Sequence, residues 1–289
     1  MYLNTLKKDE MYKSVSEIVG TNIETVKKFV RENADEIVGW HYDDRNICLM
    51  DLSHLLKGTE IKQIDSLVMS HITPRENEKN IWNEGILTLS HALTQKTELS
   101  DYLKNIGFTF AFEKEQIIMY KDNYIVDVKS ENENNLKMRL GGEKTYNDYN
   151  INGYLFIDEF DVDAIRGWLG SPEFLKSLAT YYEKNSIADN YADMCENYYV
   201  SFEVPLNAID LDGFSEKIDS IEKTEILLKY TINALAYTEM RRKPFLPMYN
   251  PIIYVKRNYD VSKEAIRKIW ILHGQYPKYI PVESGIERV

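Results

Sequence analysis

The sequence predicts an α+β protein, in which a small helical module is followed by a larger domain with a mixed, mainly antiparallel sheet. In residues 1–60, apolar side chains recur at helical spacing in short segments. In residues 61–289, strand-like and helix-like segments follow one another without the regular alternation of a doubly wound sheet. The polar segment around Gly58 is the clearest linker, so we place the domain boundary near residue 60.

Composition and charge limit the classes of function open to this chain. Apolar residues make up 44% of its 289 residues, and no apolar run approaches the roughly 20 residues that span a bilayer. The two cysteines, Cys48 and Cys195, are too far apart in the sequence for a metal knuckle, and we expect both to be reduced and buried. The net charge of −11 disfavours broad contact with nucleic-acid phosphates. We therefore expect a cytoplasmic protein without a membrane segment or a bound metal.

The N-terminal module is predicted to contain short helices and one hairpin. An apolar stripe that includes Val15 and Ile18 predicts a first helix, which ends at Gly20. The capping box Thr21–Glu24 starts a second helix. Residues 40–50 combine a polar centre with a following apolar run, a pattern that predicts a hairpin, and a last short helix follows.

Two segments of this module resemble a known DNA-binding fold. VSEIVGTNIETVKKFVREN and RNICLMDLSHLL together resemble the winged helix-turn-helix modules of excisionase and MerR-type regulators. The resemblance implies that the second helix contacts DNA through Lys27, Lys28 and Arg31. Residues 1–58 contain 8 basic and 10 acidic residues, a balance that favours protein docking or dimerisation over contact with DNA.

The larger domain contains segments typical of both strands and helices. Its best strand candidate is 198–205, where the side-chain character alternates with a period of two. The predicted strands are 66–74, 108–112, 116–120, 124–128, 153–157, 198–205 and 252–255. The predicted helices are 76–82, 161–169, 172–182, 224–240 and 262–270.

One segment of this domain, SHITPRENEKNIWNEGI, is its most informative motif. A strand ends in His71-x-Thr73, a short helix contains Ile81, and Gly85-Ile86 follows. In this order the residues resemble the first motif of ADP-ribosyltransferase-like domains. The resemblance implies a split pair of curved antiparallel sheets that grip NAD⁺.

The same resemblance implies roles for individual residues. His71 would hydrogen-bond the ribose next to nicotinamide, with Thr73 in the same cofactor site. A carboxylate would stabilise the positive charge that develops on the ribose as the C–N bond breaks, and Glu203 and Glu239 are the candidates. The further cofactor contacts are an arginine for phosphate and three rings for stacking: Arg139, Tyr154, Tyr181 and Tyr182.

The late strand of the chain departs from the family's pattern. Residues 250–255 read NPIIYV and contain no carboxylate, where the family usually places its catalytic glutamate. Three functions therefore stay open. The first is an NAD-dependent ADP-ribosyltransferase that modifies a macromolecule. The second is a non-catalytic counter-defence protein of a phage or mobile element that inhibits a host defence complex, and the third is a DNA-binding regulator.

The three alternative functions differ in the kind of partner that the protein would bind. The acidic charge and the 21 tyrosines favour the non-catalytic alternative, because tyrosine suits surfaces that are apolar at one end and wet at the other. We expect a protein partner and a homo-oligomer, and we expect no nucleic-acid partner.

Overall fold

The chain forms two compact units of mixed helices and strands. The computed structural model describes residues 1–39, 46–114, 116–128, 135–141, 150–157, 160–161, 165–215, 217–241, 250–275 and 278–283. The first unit comprises Met1–His71, Asn152–Glu159 and Ser201–Val255, and the second comprises Ile72–Ile151, Phe160–Val200 and Lys256–Val289. Helices occur with mainly antiparallel strands, so the predicted α+β class is confirmed.

The elements within the described residues are numbered in chain order. The helices are α1 (Lys8–Ile18), α2 (Ile23–Glu32), α3 (Ala34–Gly39), α4 (Ser53–Leu56), α5 (Glu78–Glu84), α6 (Leu89–Thr94), α7 (Glu98–Asn105), α8 (Leu136–Arg139), α9 (Glu173–Tyr181), α10 (Ser186–Ala192) and α11 (Ser220–Arg241). The strands are β1 (Tyr2–Leu3), β2 (Ser66–Arg75), β3 (Phe108–Glu113), β4 (Gln116–Lys121), β5 (Tyr124–Ile125), β6 (Ile151–Tyr154), β7 (Phe160–Asp161), β8 (Glu196–Pro205), β9 (Ile209–Leu211), β10 (Ile252–Val255), β11 (Ile266–Gln275) and β12 (Lys278–Glu283).

The first unit combines a sheet with a bundle of helices. Its strand order is β8-β2-β6-β10-β9, and β1 pairs with β2 in parallel. The long helix α11 packs against α1, α2 and α3. Two buried polar side chains of α11 hold the N-terminal segment, since Lys229 donates to the carbonyl of Cys48 at 3.0 Å and Asn233 to that of Ile37 at 3.2 Å. Residues 1–60 thus share a unit with α11, and the domain boundary near residue 60 stays a prediction.

The second unit contains a separate three-stranded antiparallel sheet with the order β3-β4-β5. Its other strands follow the order β7-β12-β11-β8. The buried cluster of this unit joins the inner side of the three-stranded sheet to the helices α7, α9 and α10 through Leu103, Phe108, Met119, Phe174 and Tyr191. One side of this sheet therefore packs into the core, and the other side is not part of it.

Several predicted elements are confirmed, and two predictions are wrong. The strands predicted at 66–74 and 198–205 and the helix at 224–240 are β2, β8 and α11. Residues 46–49 form the 3₁₀ helix Asn46–Leu49 instead of the second strand of a hairpin, and residues 40–45 of that prediction lie outside the described residues.

The second error concerns the C-terminal segment 262–270, which was predicted to be helical. The chain there enters β11, because Ile271 and its neighbours pair along β12, with Ile271 opposite Val282. Its apolar side chains fit both the helical and the strand period, so pairing with the neighbouring strands β12 and β8 decides between them. Part of the helix predicted at 161–169 lies outside the described residues, and its end forms the short 3₁₀ helix Arg166–Trp168.

Candidate functional site

His71, the central residue of the predicted NAD site, lies half-buried on β2. Its Nδ1 atom is 2.6 Å from the carbonyl oxygen of Asn152 on β6. β2 and β6 are antiparallel with Ser70 directly opposite Tyr154. Side chains at directly opposite positions share a face of the sheet, whereas successive residues of a strand alternate between faces. Tyr154 therefore lies on the face of Ser70, and His71 lies on the opposite face.

Glu203 also lies on the face of Ser70. The Ser66 hydroxyl donates to the Glu203 carboxylate at 2.6 Å, and the buried Ser70 and Ser201 hydroxyls lie 2.7 Å apart. Ser66 and Ser70 are four residues apart on β2 and therefore lie on the same face of the sheet. Their side-chain contacts place Ser201 and Glu203 of β8 on that face as well. The sheet thus brings Glu203 and Tyr154 to one face and places His71 on the other.

Glu239, the second candidate carboxylate, lies near the end of α11 within the helical part of the first unit. It accepts a hydrogen bond from the Tyr12 hydroxyl at 2.9 Å and binds the Lys8 ammonium at 2.7 Å. Partial burial acts in the opposite direction, but these two donors hold the pKa of Glu239 below its usual value. Burial, together with the bond to Glu239, raises the pKa of Tyr12. This carboxylate ties α11 to α1.

The other predicted cofactor contacts belong to the second unit, where they make packing and ionic contacts. Thr73 is buried, with 3% of its surface exposed. The buried Arg139 guanidinium donates to Ser177 at 3.0 Å and lies 3.3 Å from the Glu173 carboxylate. These partners lie on α9, so Arg139 links α8 to that helix.

Tyr181 and Tyr182 form an aromatic cluster at the end of α9. Their rings are 5.1 Å apart in an edge-to-face arrangement, and the Tyr182 ring meets Phe108 in the same way, also at 5.1 Å. Burial raises the pKa of the Tyr182 hydroxyl. Edge-to-face contacts of this kind stabilise a core.

Glu98, at the first turn of α7, is a polar centre that the sequence did not reveal. Its carboxylate accepts hydrogen bonds from the Glu76 backbone at 2.8 Å, Tyr191 at 2.9 Å and Asn80 at 2.5 Å, with the Cys195 thiol at 3.7 Å. We call these five residues the Glu98 hub. Only the position of Glu98 directly after the helix cap Thr97 could have drawn attention to it. Its oxygens are occupied by internal donors, which makes the hub a structural element.

The Glu98 hub determines the chemistry of Cys195. Burial, followed by the neighbouring Glu98 charge, raises the pKa of the Cys195 thiol to about 12. The thiolate is the reactive form, so Cys195 is unreactive near neutral pH. The other cysteine, Cys48, is exposed, so the prediction that it is buried is wrong.

This difference gives a first testable prediction. At pH 8 we expect a thiol reagent such as Ellman's reagent to label only Cys48 in the folded protein and both cysteines in urea. The amount of chromophore released per chain gives the number of labelled cysteines. Cys48→Ser is the control that removes the fast reaction. Rapid labelling of Cys195 in the folded Cys48→Ser protein would contradict the assigned environment.

A second polar centre outside the predicted site is formed by Asp260. Its carboxylate accepts hydrogen bonds from the Thr88 backbone at 2.8 Å and the Thr88 hydroxyl at 3.0 Å, and it lies 2.5 Å from Nδ1 of His91. Thr88 precedes α6, and the bridge between Ile86 and Val261 runs beside it. Asp260 therefore anchors the beginning of α6 to the segment before β11.

The second side of the three-stranded sheet, which is not part of the buried cluster, carries apolar residues beside the exposed polar residues Thr109, Glu113 and Gln116. The register places Ala111 opposite Ile118, and Tyr120 opposite Ile125. These four residues alternate with the core residues of β3 and β4 and therefore share the other side of the sheet. We call them the outer face. Ile125 is 70% exposed and the other three are half-buried, so the outer face presents apolar surface to solvent.

The basic residues of α2 are largely paired with acids of the same helix. Lys27 lies 3.2 Å from the Glu24 carboxylate and Lys28 lies 3.8 Å from that of Glu32. Two of the three side chains that the helix-turn-helix resemblance assigns to DNA are thus locally neutralised. The expected lack of a nucleic-acid partner stays a prediction.

Comparison of the chain with protein-family models, curated proteins and solved structures gives no match. Of the helices in the described ranges, none is both long and apolar enough to cross a bilayer. Within the residues that the structure describes, His, Cys, Asp and Glu side chains form no group of three that could hold a metal ion. The assignments to helix-turn-helix and ADP-ribosyltransferase families therefore stay predictions.

Proposed function

We propose that this protein acts by binding a protein partner and not by transferring ADP-ribose. The outer face is the observation that carries this proposal. It combines aliphatic side chains with the Tyr120 ring on a regular sheet whose other side is anchored in a core. Apolar and aromatic groups on a rigid support are the features of an interface centre. A host defence complex, the partner class expected from the sequence, is compatible with this proposal.

The strand register also supports a binding function, because it separates the residues predicted to transfer ADP-ribose. Transfer of ADP-ribose needs a histidine and a carboxylate on the same nucleotide, because one orients the ribose while the other stabilises its positive charge. His71 lies on one face of its sheet and Glu203 on the other, while Glu239 is bound by Tyr12 and Lys8. We therefore assign no catalytic step to these residues.

Partner capture by tagged variants tests the proposal. We expect Ile118→Lys to lower the amount of captured partner by about tenfold or more, because a charge at an interface centre costs at least 1.4 kcal/mol. His71→Ala should capture as much partner as the wild type. Asp101→Lys, on the exposed side of α7, is the matched control for an added lysine. Capture that is independent of Ile118 but lost with His71→Ala would contradict the proposal.

A calorimetric titration with NAD⁺ separates binding from transferase activity. We expect a flat trace with the wild-type protein. A saturable heat that His71→Ala abolishes, together with release of nicotinamide, would favour the ADP-ribosyltransferase alternative instead. The two experiments use the same variant, so their results can be compared directly.

A further inference from the structure

The outer edge of β5 has backbone hydrogen-bonding groups that no other described strand pairs with. β5 is the last strand in the order β3-β4-β5, and within the described residues no strand pairs with its outer side. Val126 donates its backbone N–H to the carbonyl of Met119 at 2.9 Å, and Lys121 is opposite Tyr124. Hydrogen-bonded and non-hydrogen-bonded pairs alternate along an antiparallel ladder, so the intervening Ile125 turns its N–H and C=O away from β4.

A tight turn fixes this edge in place. Only Asp122 and Asn123 connect β4 to β5, and both have positive φ angles, of 51° and 69°. Two left-handed residues form the type I′ turn that matches the twist of a hairpin. The edge is therefore held in strand conformation before any partner arrives, which lowers the entropic cost of adding a strand.

The exposed side chains at this edge are apolar in the middle and acidic at the ends. Tyr124 and Ile125 are 78% and 70% exposed. Asp122 and Asp127 flank them and are also exposed, and the Lys121 ammonium lies 3.8 Å from the Asp122 carboxylate. An apolar strand edge is normally shielded by charged residues or by a covering element. Here the charges lie on either side of the apolar pair and leave it accessible.

We propose that the edge of β5 receives an extended, basic segment of a partner protein as a fourth strand. This inference rests on the proposed protein-binding function and names its docking mode. Lysine or arginine in the segment would face Asp122 and Asp127, and its apolar residues would continue the outer face beyond Ile125. A second copy of the chain fits less well, because it would bring the same carboxylates together on a protein of net charge −11.

The experiment uses a labelled, acetylated peptide in which valine alternates with threonine and a lysine replaces the valine at each end, so that the lysines lie on the same face as the valines. Its binding is measured by fluorescence anisotropy at two salt concentrations. We expect saturable binding that weakens with salt. Ile125→Pro should weaken it by about tenfold, because proline removes the outward N–H while the ladder with β4 needs no donor there. Ile125→Thr, which keeps that N–H, should bind the peptide within about threefold of the wild type.

A charge reversal and an acidic peptide complete the test. Asp127→Lys leaves the backbone edge intact and should weaken the basic peptide by about tenfold. Equal affinity for a peptide with glutamate in place of lysine, or for Ile125→Pro and wild type, would overturn the inference. So would sedimentation showing a dimer that Ile125→Pro converts to a monomer, since a second copy would then occupy the edge. If the peptide fails to bind but Ile118→Lys still loses the captured partner, the docking mode is wrong and the proposed function stands.

Discussion

Gly85→Ala should lower the free energy of unfolding by about 2–6 kcal/mol, because the substitution combines backbone strain with a steric clash. Gly85 follows α5 with φ +77° and ψ −158°, a region that is nearly restricted to glycine and costs another residue about 1–3 kcal/mol. In addition, a Cβ atom at this position would clash with the backbone carbonyl of Val261. Backbone cannot move aside as a flexible side chain does, so the overlap adds about 1–3 kcal/mol.

Gly58 supplies the matched control for this substitution. It also has a positive φ, of +84°, but nothing lies within 4 Å of the position that a Cβ would occupy. Gly58→Ala should therefore show the conformational cost alone, about 1–2 kcal/mol. Urea denaturation of both variants, followed by circular dichroism, measures the difference. Equal losses for the two variants would refute the clash with Val261.

This comparison also bears on the His-x-Thr and Gly-Ile motif. Gly85 allows Ile86 to form its bridge with Val261, in which the Ile86 N–H donates at 3.0 Å and its carbonyl accepts at 2.8 Å. The glycine and the isoleucine of the motif are thus required by packing within the second unit. A motif of this kind can persist without the chemistry of the family it resembles.

Glu98→Ala should lower the free energy of unfolding by about 3 kcal/mol, because it leaves the buried Tyr191 hydroxyl and the partly buried Asn80 amide without their acceptor. Tyr191 is fully buried, and burial raises the pKa of its hydroxyl, so the donor stays protonated and unpaired in the variant. Asp101→Ala, on the exposed side of the same helix, should change stability by less than about 0.5 kcal/mol.

The alkylation rate of the Cys195 thiol tests the contacts of the Glu98 hub independently of stability. Burial is the main cause of its raised pKa and the Glu98 charge is the next. In a Cys48→Ser background, Glu98→Gln removes the charge, lowers the pKa of Cys195 and should therefore speed its alkylation at pH 9. An unchanged alkylation rate combined with wild-type stability would show that Glu98 does not bind these groups in solution.

The fold shows which local sequence patterns are sufficient to predict a helix or a strand and which are not. β2 was predictable from a short apolar run that leads into a turn, and β8 from the alternation of its side chains along 198–205. α11 was predictable because its apolar spacing persists along the helix. β11 was not predictable, since its apolar residues fit the helical period and the strand period equally well. Pairing with β12 on one side and with β8, which lies much earlier in the chain, on the other decides that segment.

The candidate sites show the same limit. Tyr154 and His71 were both predicted to lie on strands, and both do. Their separation onto opposite faces follows from the single register Ser70 with Tyr154, and a shift by one residue would reverse it. The Glu98 hub and the outer face were missed for a related reason, because each joins residues that are distant or unremarkable in the sequence.

By itself the sequence determined the α+β class, most helix and strand positions, and the acidic balance that argues against nucleic acid as a partner. Side-chain periodicity and charge are local or additive properties, so they can be read without knowing what lies beside each element. The tertiary structure alone decided which strands are neighbours, in which register, and therefore which side chains share a face. Functional groups converge through those long-range pairings, and no local pattern specifies them.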